Sequence, residues 1–183
     1  MEAHRWTRND YDRMAAVGLL TPDARVELID GTIYDRPAQT SSHASAVHRG
    51  LRVLQQAFPD HYVRIQSPLS LGEDSAPEPD LAVVPGTIED YFHSHPITAV
   101  LVVEVADESL SHDRKRKAPL YARHEIPELW LVNLRTGSLE VYRAPVDGAY
   151  QSRSELRSGD QVSPLVRPEV SIAVAELFPS GRR

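Results

Sequence analysis

The chain has no cysteine, which excludes disulfides, thiolate metal ligands and cysteine nucleophiles. It lacks any apolar run near the roughly 18 residues that a membrane-spanning helix needs. Its opening residues, Met1-Glu2-Ala3-His4-Arg5-Trp6, lack the hydrophobic stretch of a secretory signal. The expected location is therefore the cytoplasm, with no membrane partner. A glycine-rich phosphate loop is missing, and so is a GxSxG nucleophile elbow. No repeat, low-complexity tract or linker interrupts residues 1–183, which read as one domain long enough to bury a substantial core. A basic excess is absent too: 20 Lys and Arg stand against 26 Asp and Glu, for a net charge of −6. Nucleic-acid affinity comes largely from neutralising phosphates, so this balance weighs against DNA binding while leaving room for a local basic patch.

What remains is ordinary for a folded chain, 41% hydrophobic and 25% charged. Thr7 as a cap and a partial apolar face of Tyr11, Met14, Ala15 and Val17 predict a short helix over 7–18. Pro22 marks a turn, and Asp30-Gly31 between two short apolar runs predicts a hairpin. Ser41 and Ser42 offer caps for a long amphipathic helix carrying Val47, Leu51, Leu54 and Phe58, stopped by Pro59. Strand-like alternation follows in 62–66 and again in Leu69-Ser70-Leu71. The β-branched runs at 77–84 and 99–105 have the pattern of buried central strands. Residues 109–125 read as a helix that Pro119 kinks or tightens. A buried strand at 128–134, its hairpin partner at 139–143, short strands and a helical turn at 174–178 complete the chain. The order predicts one α/β domain around a mixed sheet.

Two of these strands carry a carboxylate that a buried strand holds only when it is paired or bound to a cation. Asp80 sits at the mouth of the first run and Glu104 near the end of the second. As neighbours, the strands bring both to one point. Mg²⁺ is commonly held by one or two carboxylates plus waters and substrate phosphate, and the carbonyl of Val105 offers a third oxygen. Mn²⁺ accepts the same donors. Such an ion polarises a phosphoryl oxygen and acidifies bound water. A lysine from Asp113-Arg114-Lys115-Arg116-Lys117 could orient that water or stabilise the growing charge. Lys115 and Lys117 are both available, and Lys117 shares a helical face with Asp113 and Tyr121. A plainer reading fits the same residues. Asp80 could serve a turn, Glu104 an ion pair with Arg114 or Lys117, and Asp113 the start of a helix. Glu27, alternating with Val26 and Leu28, could simply face outward. His93 and His95 have no third ligand nearby and read as part of a solvated loop.

In order and interval, several segments together resemble the Uma-type restriction endonuclease family, within the PD-(D/E)XK nuclease superfamily. They are Val26-Glu27-Leu28-Ile29-Asp30-Gly31, His43 early in its helix, Pro79-Asp80-Leu81-Ala82-Val83-Val84 and Leu101-Val102-Val103-Glu104-Val105. The series continues through 113–117 to Tyr121-Ala122 and Ile126-Pro127-Glu128-Leu129-Trp130-Leu131-Val132. The resemblance runs from Trp6 to Phe178. It implies a restriction-endonuclease-like core of helix, three strands, helix, strand, with hairpins added at the N- and C-terminal ends. It also implies a Mg²⁺-dependent (or Mn²⁺-dependent) endonuclease acting on DNA. Asp80 falls on the family's metal-binding aspartate and Glu104 on its second acidic ligand. Glu27 falls on a supporting acidic residue, with His43 and Tyr121 in assisting positions. The family pattern wants lysine two residues after Glu104, where this chain has Ala106; the resemblance places the moved lysine at Lys117. Asp107 stands where relatives commonly carry serine. The missing strand lysine and the net acidity motivate an alternative, a catalytically inactive nuclease-fold module binding nucleic acid or a protein partner. A third reading is a homodimer subunit joined through the hairpins of 138–155.

Overall fold

A reciprocal capping box opens the chain's first helix: Thr7 accepts from the Asp10 N–H, and Asp10 accepts from the Thr7 N–H. That fixes α1 (Arg8–Ala16) in the computed structural model, which describes residues 3–21 and 23–179. The predicted turn at Pro22 lies outside the described residues. Asp30 and Gly31, both left-handed at φ 47° and 68°, make the tight turn between β1 (Val26–Ile29) and β2 (Thr32–Asp35), as the sequence predicts. The long helix α2 (Ser41–Ala57) is capped one residue earlier than expected, by Thr40, whose hydroxyl accepts from the His43 N–H.

After α2 come β3 (Tyr62–Ile65), β4 (Leu81–Val84) and β5 (Leu101–Ala106). Leu69-Ser70-Leu71 does not form the expected strand. Leu69 donates to the Pro77 carbonyl and Leu71 makes one isolated bridge to Ser75, because the chain reverses at left-handed Gly72 before a ladder can grow. Both leucines are nonetheless buried.

The helical stretch then runs as α3 (Leu110–His112), a π-helical turn (Asp113–Lys117) and α4 (Ala118–Arg123). The sequence suggests that Pro119 kinks or tightens this helix; instead the backbone widens just before it. A wider turn accommodates a residue that has no N–H to donate and crowds the preceding carbonyls. The chain closes with β6 (Glu128–Asn133), β7 (Ser138–Val146), β8 (Ala149–Arg157), β9 (Gln161–Val162), β10 (Ile172–Ala173) and a 3₁₀ turn at Val174–Leu177.

The main sheet has the order β3-β4-β5-β6-β7-β8, with β5 and β6 parallel and every other neighbouring pair antiparallel. Side-chain alternation assigns its faces. Val63, Val83, Leu101, Val103 and Val105 pack with α2, whereas Ala82, Val84, Val102, Leu129 and Leu131 pack with Leu120 and Tyr121 of α4. Glu104 shares parity with Val102 and so lies on the α4 face. The β4–β5 ladder pairs Leu81 with Val103; one step further, the same register brings Asp80 opposite Glu104. Helix α2, three strands, a helical segment and β6 follow one another as the resemblance implies. Among the described residues, no helix is long and apolar enough to cross a membrane.

Candidate active site

The entry to β4, the end of β5, strand β1, the start of α2 and the π-helical turn all border one cleft of about 280 Å³. Glu27, His43, Asp80, Glu104, Val105, Asp107, His112, Asp113 and Lys117 line it. Every residue predicted for the site therefore reaches this cleft or, in the case of Tyr121, bonds a residue that lines it. Lys115 is exposed on the outside of the turn, so Lys117 is the lysine of the cleft.

Lys117 Nζ lies 3.0 Å from Glu27 Oε2 and 3.1 Å from Glu104 Oε1. The Tyr121 hydroxyl donates to the same Glu104 oxygen at 2.6 Å. Glu27 also accepts the Glu78 N–H at 3.1 Å, and its Oε1 lies 3.6 Å from His112 Nε2. It faces inward, against the plainer reading of an outward strand residue. Glu104 pairs with Lys117, and Arg114 instead reaches away to the buried Glu140 of β7. Asp80 Oδ2 accepts the Val105 N–H at 2.8 Å and sits 3.2 Å from His43 Nε2, while Oδ1 accepts from the Gln66 amide at 3.1 Å. Asp113 takes a hydrogen bond from the Ser109 hydroxyl at 2.8 Å.

Charge decides the character of this cluster. Glu27, Glu104 and Asp113 are 3% exposed, and Asp80 and Lys117 4%. Four buried carboxylates against one buried ammonium leave an excess of negative charge, which a low-dielectric site does not hold without compensation. The pKa shifts show how it is spread. Burial pushes Glu27 up, but Lys117, His112 and the Glu78 N–H outweigh it and hold the group at about 2. Asp80 is likewise lowered: burial opposes, while His43 and the Val105 N–H prevail. Its partner His43 is raised by that hydrogen bond, against the effect of burial. Glu104 goes the other way. Burial, then the surrounding carboxylates Asp113, Asp80 and Glu27, push it up to about 8 in spite of Lys117. Lys117, although buried, is raised by Glu104, Glu27, Asp113 and Asp80.

The donor set fits a hard divalent cation of a particular kind. Among the described residues, no three His, Asp or Glu side chains gather into a ready-made cage. An ion that takes two carboxylates, one carbonyl and several waters needs no such cage. The hydrogen bonds from Tyr121 and Lys117 both fall on Oε1 of Glu104.

A model of one protein family matches residues 8–175, that of Uma2, described as "Putative restriction endonuclease". The chain belongs to the Uma2 family. The Uma2 match spans the whole cleft, from Glu27 through Tyr121. Five solved chains match as well. One, from Anabaena variabilis ATCC 29413 and described as "a putative nuclease belonging to DUF820", has a TM-score of 0.77 at 17% identity, over 94% of this chain and 97% of that one. The likeness shows the fold, a mixed sheet of the restriction-endonuclease type. No curated protein matches.

Gln66, which bonds Asp80, and the cleft residues His112 and Asp113 were not singled out as site residues in the sequence. Gln66 follows the edge strand β3, and nothing in its sequence surroundings marks it. His112 is a lone histidine within a helical pattern. Asp113 carried a signal, since it shares a helical face with Lys117 and Tyr121, but a helix-opening aspartate has a sufficient local explanation.

Proposed function

We propose that this Uma2 protein is a metal-dependent endodeoxyribonuclease that hydrolyses phosphodiester bonds in the cytoplasm. One observation carries the reading: a single buried lysine stands among four buried carboxylates in one open cleft. That imbalance suits a site completed by a divalent cation and an anionic substrate. Asp80, Glu104 and the Val105 carbonyl would hold Mg²⁺ or Mn²⁺, which when bound supplies a polarised phosphoryl oxygen and a water acidified toward neutrality.

The chain's own groups do the rest. Lys117, anchored by Glu27, presents an ammonium beside Glu104, where it orients the attacking water or meets charge growing on the phosphate. Tyr121 keeps Glu104 turned toward that ammonium. His43 braces Asp80 from α2. The lysine that the strand lacks at Ala106 is thus replaced from the helix, and this supports catalysis over an inactive binding module.

Plasmid cleavage in Mg²⁺ or Mn²⁺ tests the proposal. Wild type should nick or linearise DNA, and Asp80→Ala, Glu104→Ala and Lys117→Ala should each lose at least about a hundredfold in rate. Cleavage at the wild-type rate by both Asp80→Ala and Glu104→Ala would overturn it. DNA retention that ignores both the metal and Asp80→Ala, without cleavage, would favour the inactive module.

A further inference from the structure

We infer that Gln66 is a positioning residue that holds the Asp80 carboxylate in the orientation that receives a divalent cation. The inference rests on the metal site proposed above. Gln66 follows β3 with φ of 43°, in the left-handed region where residues with a Cβ are uncommon and glycine is at ease. A chain that needed only to turn here, ahead of Ser67-Pro68, would be served better by glycine. What glycine lacks is the amide.

That amide is in use. The Gln66 backbone N–H donates to the Asp80 carbonyl at 3.0 Å, and its side-chain Nε2 donates to Asp80 Oδ1 at 3.1 Å. The other carboxylate oxygen is held from two further elements, by the Val105 N–H of β5 at 2.8 Å and by His43 Nε2 of α2 at 3.2 Å. With Oδ2 fixed from one side and Oδ1 from the other, the carboxylate cannot rotate about its Cβ–Cγ bond without breaking a hydrogen bond. An ionised carboxylate offers about four lone-pair directions, two on each oxygen; Oδ2 already receives two donors, so Oδ1, which receives Gln66 alone, is the oxygen left with accepting capacity for a metal. A strained backbone retained where its side chain fixes a cleft carboxylate is the pattern expected of a site paying for preorganisation. Partners that orient a metal's ligands commonly govern affinity by about 10- to 100-fold.

The test uses the full chain. Mn²⁺ binding is measured by calorimetry for wild type, Asp80→Ala, Gln66→Gly and Gln66→Ala, and metal-free melting temperatures are recorded alongside. Gln66→Gly relieves the left-handed turn, so it should melt at or above wild type yet bind Mn²⁺ about 10- to 100-fold more weakly. Gln66→Ala should lose affinity to the same degree while melting below Gln66→Gly, because it keeps the strain without the amide. A melting temperature that falls together with affinity in Gln66→Gly would assign Gln66 to the fold and overturn the inference. Mn²⁺ uptake lost in Asp80→Ala but intact in Gln66→Gly would overturn it alone. A wild type that takes up no Mn²⁺ would sink the metal reading and this inference with it.

Discussion

Replacing Lys117 by methionine should be the most revealing single change in the molecule. Methionine matches the lysine stem in length and packs well, so it removes the charge with little loss of volume. The ammonium it deletes sits 3.0 Å from Glu27 and 3.1 Å from Glu104, with all three groups buried. Breaking a buried pair by removing one partner costs about 3–5 kcal/mol, because the abandoned charge stays buried. In a chain of this size each kcal/mol moves the melting temperature by about 2–4 °C, so the fall should be roughly 6–20 °C. Glu104 adds little to the loss, because a carboxyl raised to about 8 beside the ammonium already tends to hold its proton at pH 7; the abandoned charge is that of Glu27, held at about 2. Two rescues distinguish this account from ordinary packing damage. Adding Glu27→Gln should recover much of the fall, since it removes the carboxylate that the variant leaves ionised and uncompensated. Mn²⁺ should stabilise Lys117→Met more than wild type, as the ion replaces the missing positive charge. Calorimetric melts at pH 7 read all three. A fall below about 2 °C, or a double variant no better than the single one, would refute the claim that Lys117 neutralises the cleft.

Two other consequences can be checked on the same protein. Glu27 is held at about 2 against an ordinary 4.5, so it binds its proton less readily folded than unfolded. Its contribution is fully present above about pH 4.5 and is lost as pH falls through about 2, on the order of 3 kcal/mol in all. Urea titrations across that range should show a shallower acid limb for Glu27→Gln than for wild type. Tyr121→Phe deletes a 2.6 Å hydrogen bond to the buried Glu104 and should cost about 1.5–3 kcal/mol in denaturant midpoint analysis; a neutral result would mean that Lys117 alone satisfies that oxygen.

The order of elements was legible because its signals are local and agree with one another. Asp30-Gly31 sets a turn, the β-branched runs set β4 and β5, and the face of Val47, Leu51 and Leu54 sets α2. Asp80, Glu104 and Lys117 stood out because charge inside an apolar pattern demands a partner. The remaining discrepancies need contacts distant in sequence. Leu69 and Leu71 alternate like a strand, yet no neighbouring strand reaches them for a ladder. The π-helical turn depends on how the segment is pinned, by Arg114 to Glu140 on β7 and by Lys117 to Glu27 on β1. Gln66 acquires meaning only when the β3–β4 pairing carries it to Asp80, and His112 only when β1 brings Glu27 within reach.

The burial of Ala106 bears on where a lysine can stand in this cleft. The residue is fully buried at the end of β5 and, two residues on from Glu104, points to the same face. A lysine there would aim at the carboxylate that Lys117 already occupies, so the two positions are alternatives that compete for one acceptor. A lineage moving from one arrangement to the other must pass through a chain with both ammonium groups crowded together or with neither. The transition is therefore easiest in a background whose surrounding carboxylates tolerate either state. Glu27 and Asp113 make this cleft such a background, and once the small alanine is packed against its neighbours the way back is sterically narrow.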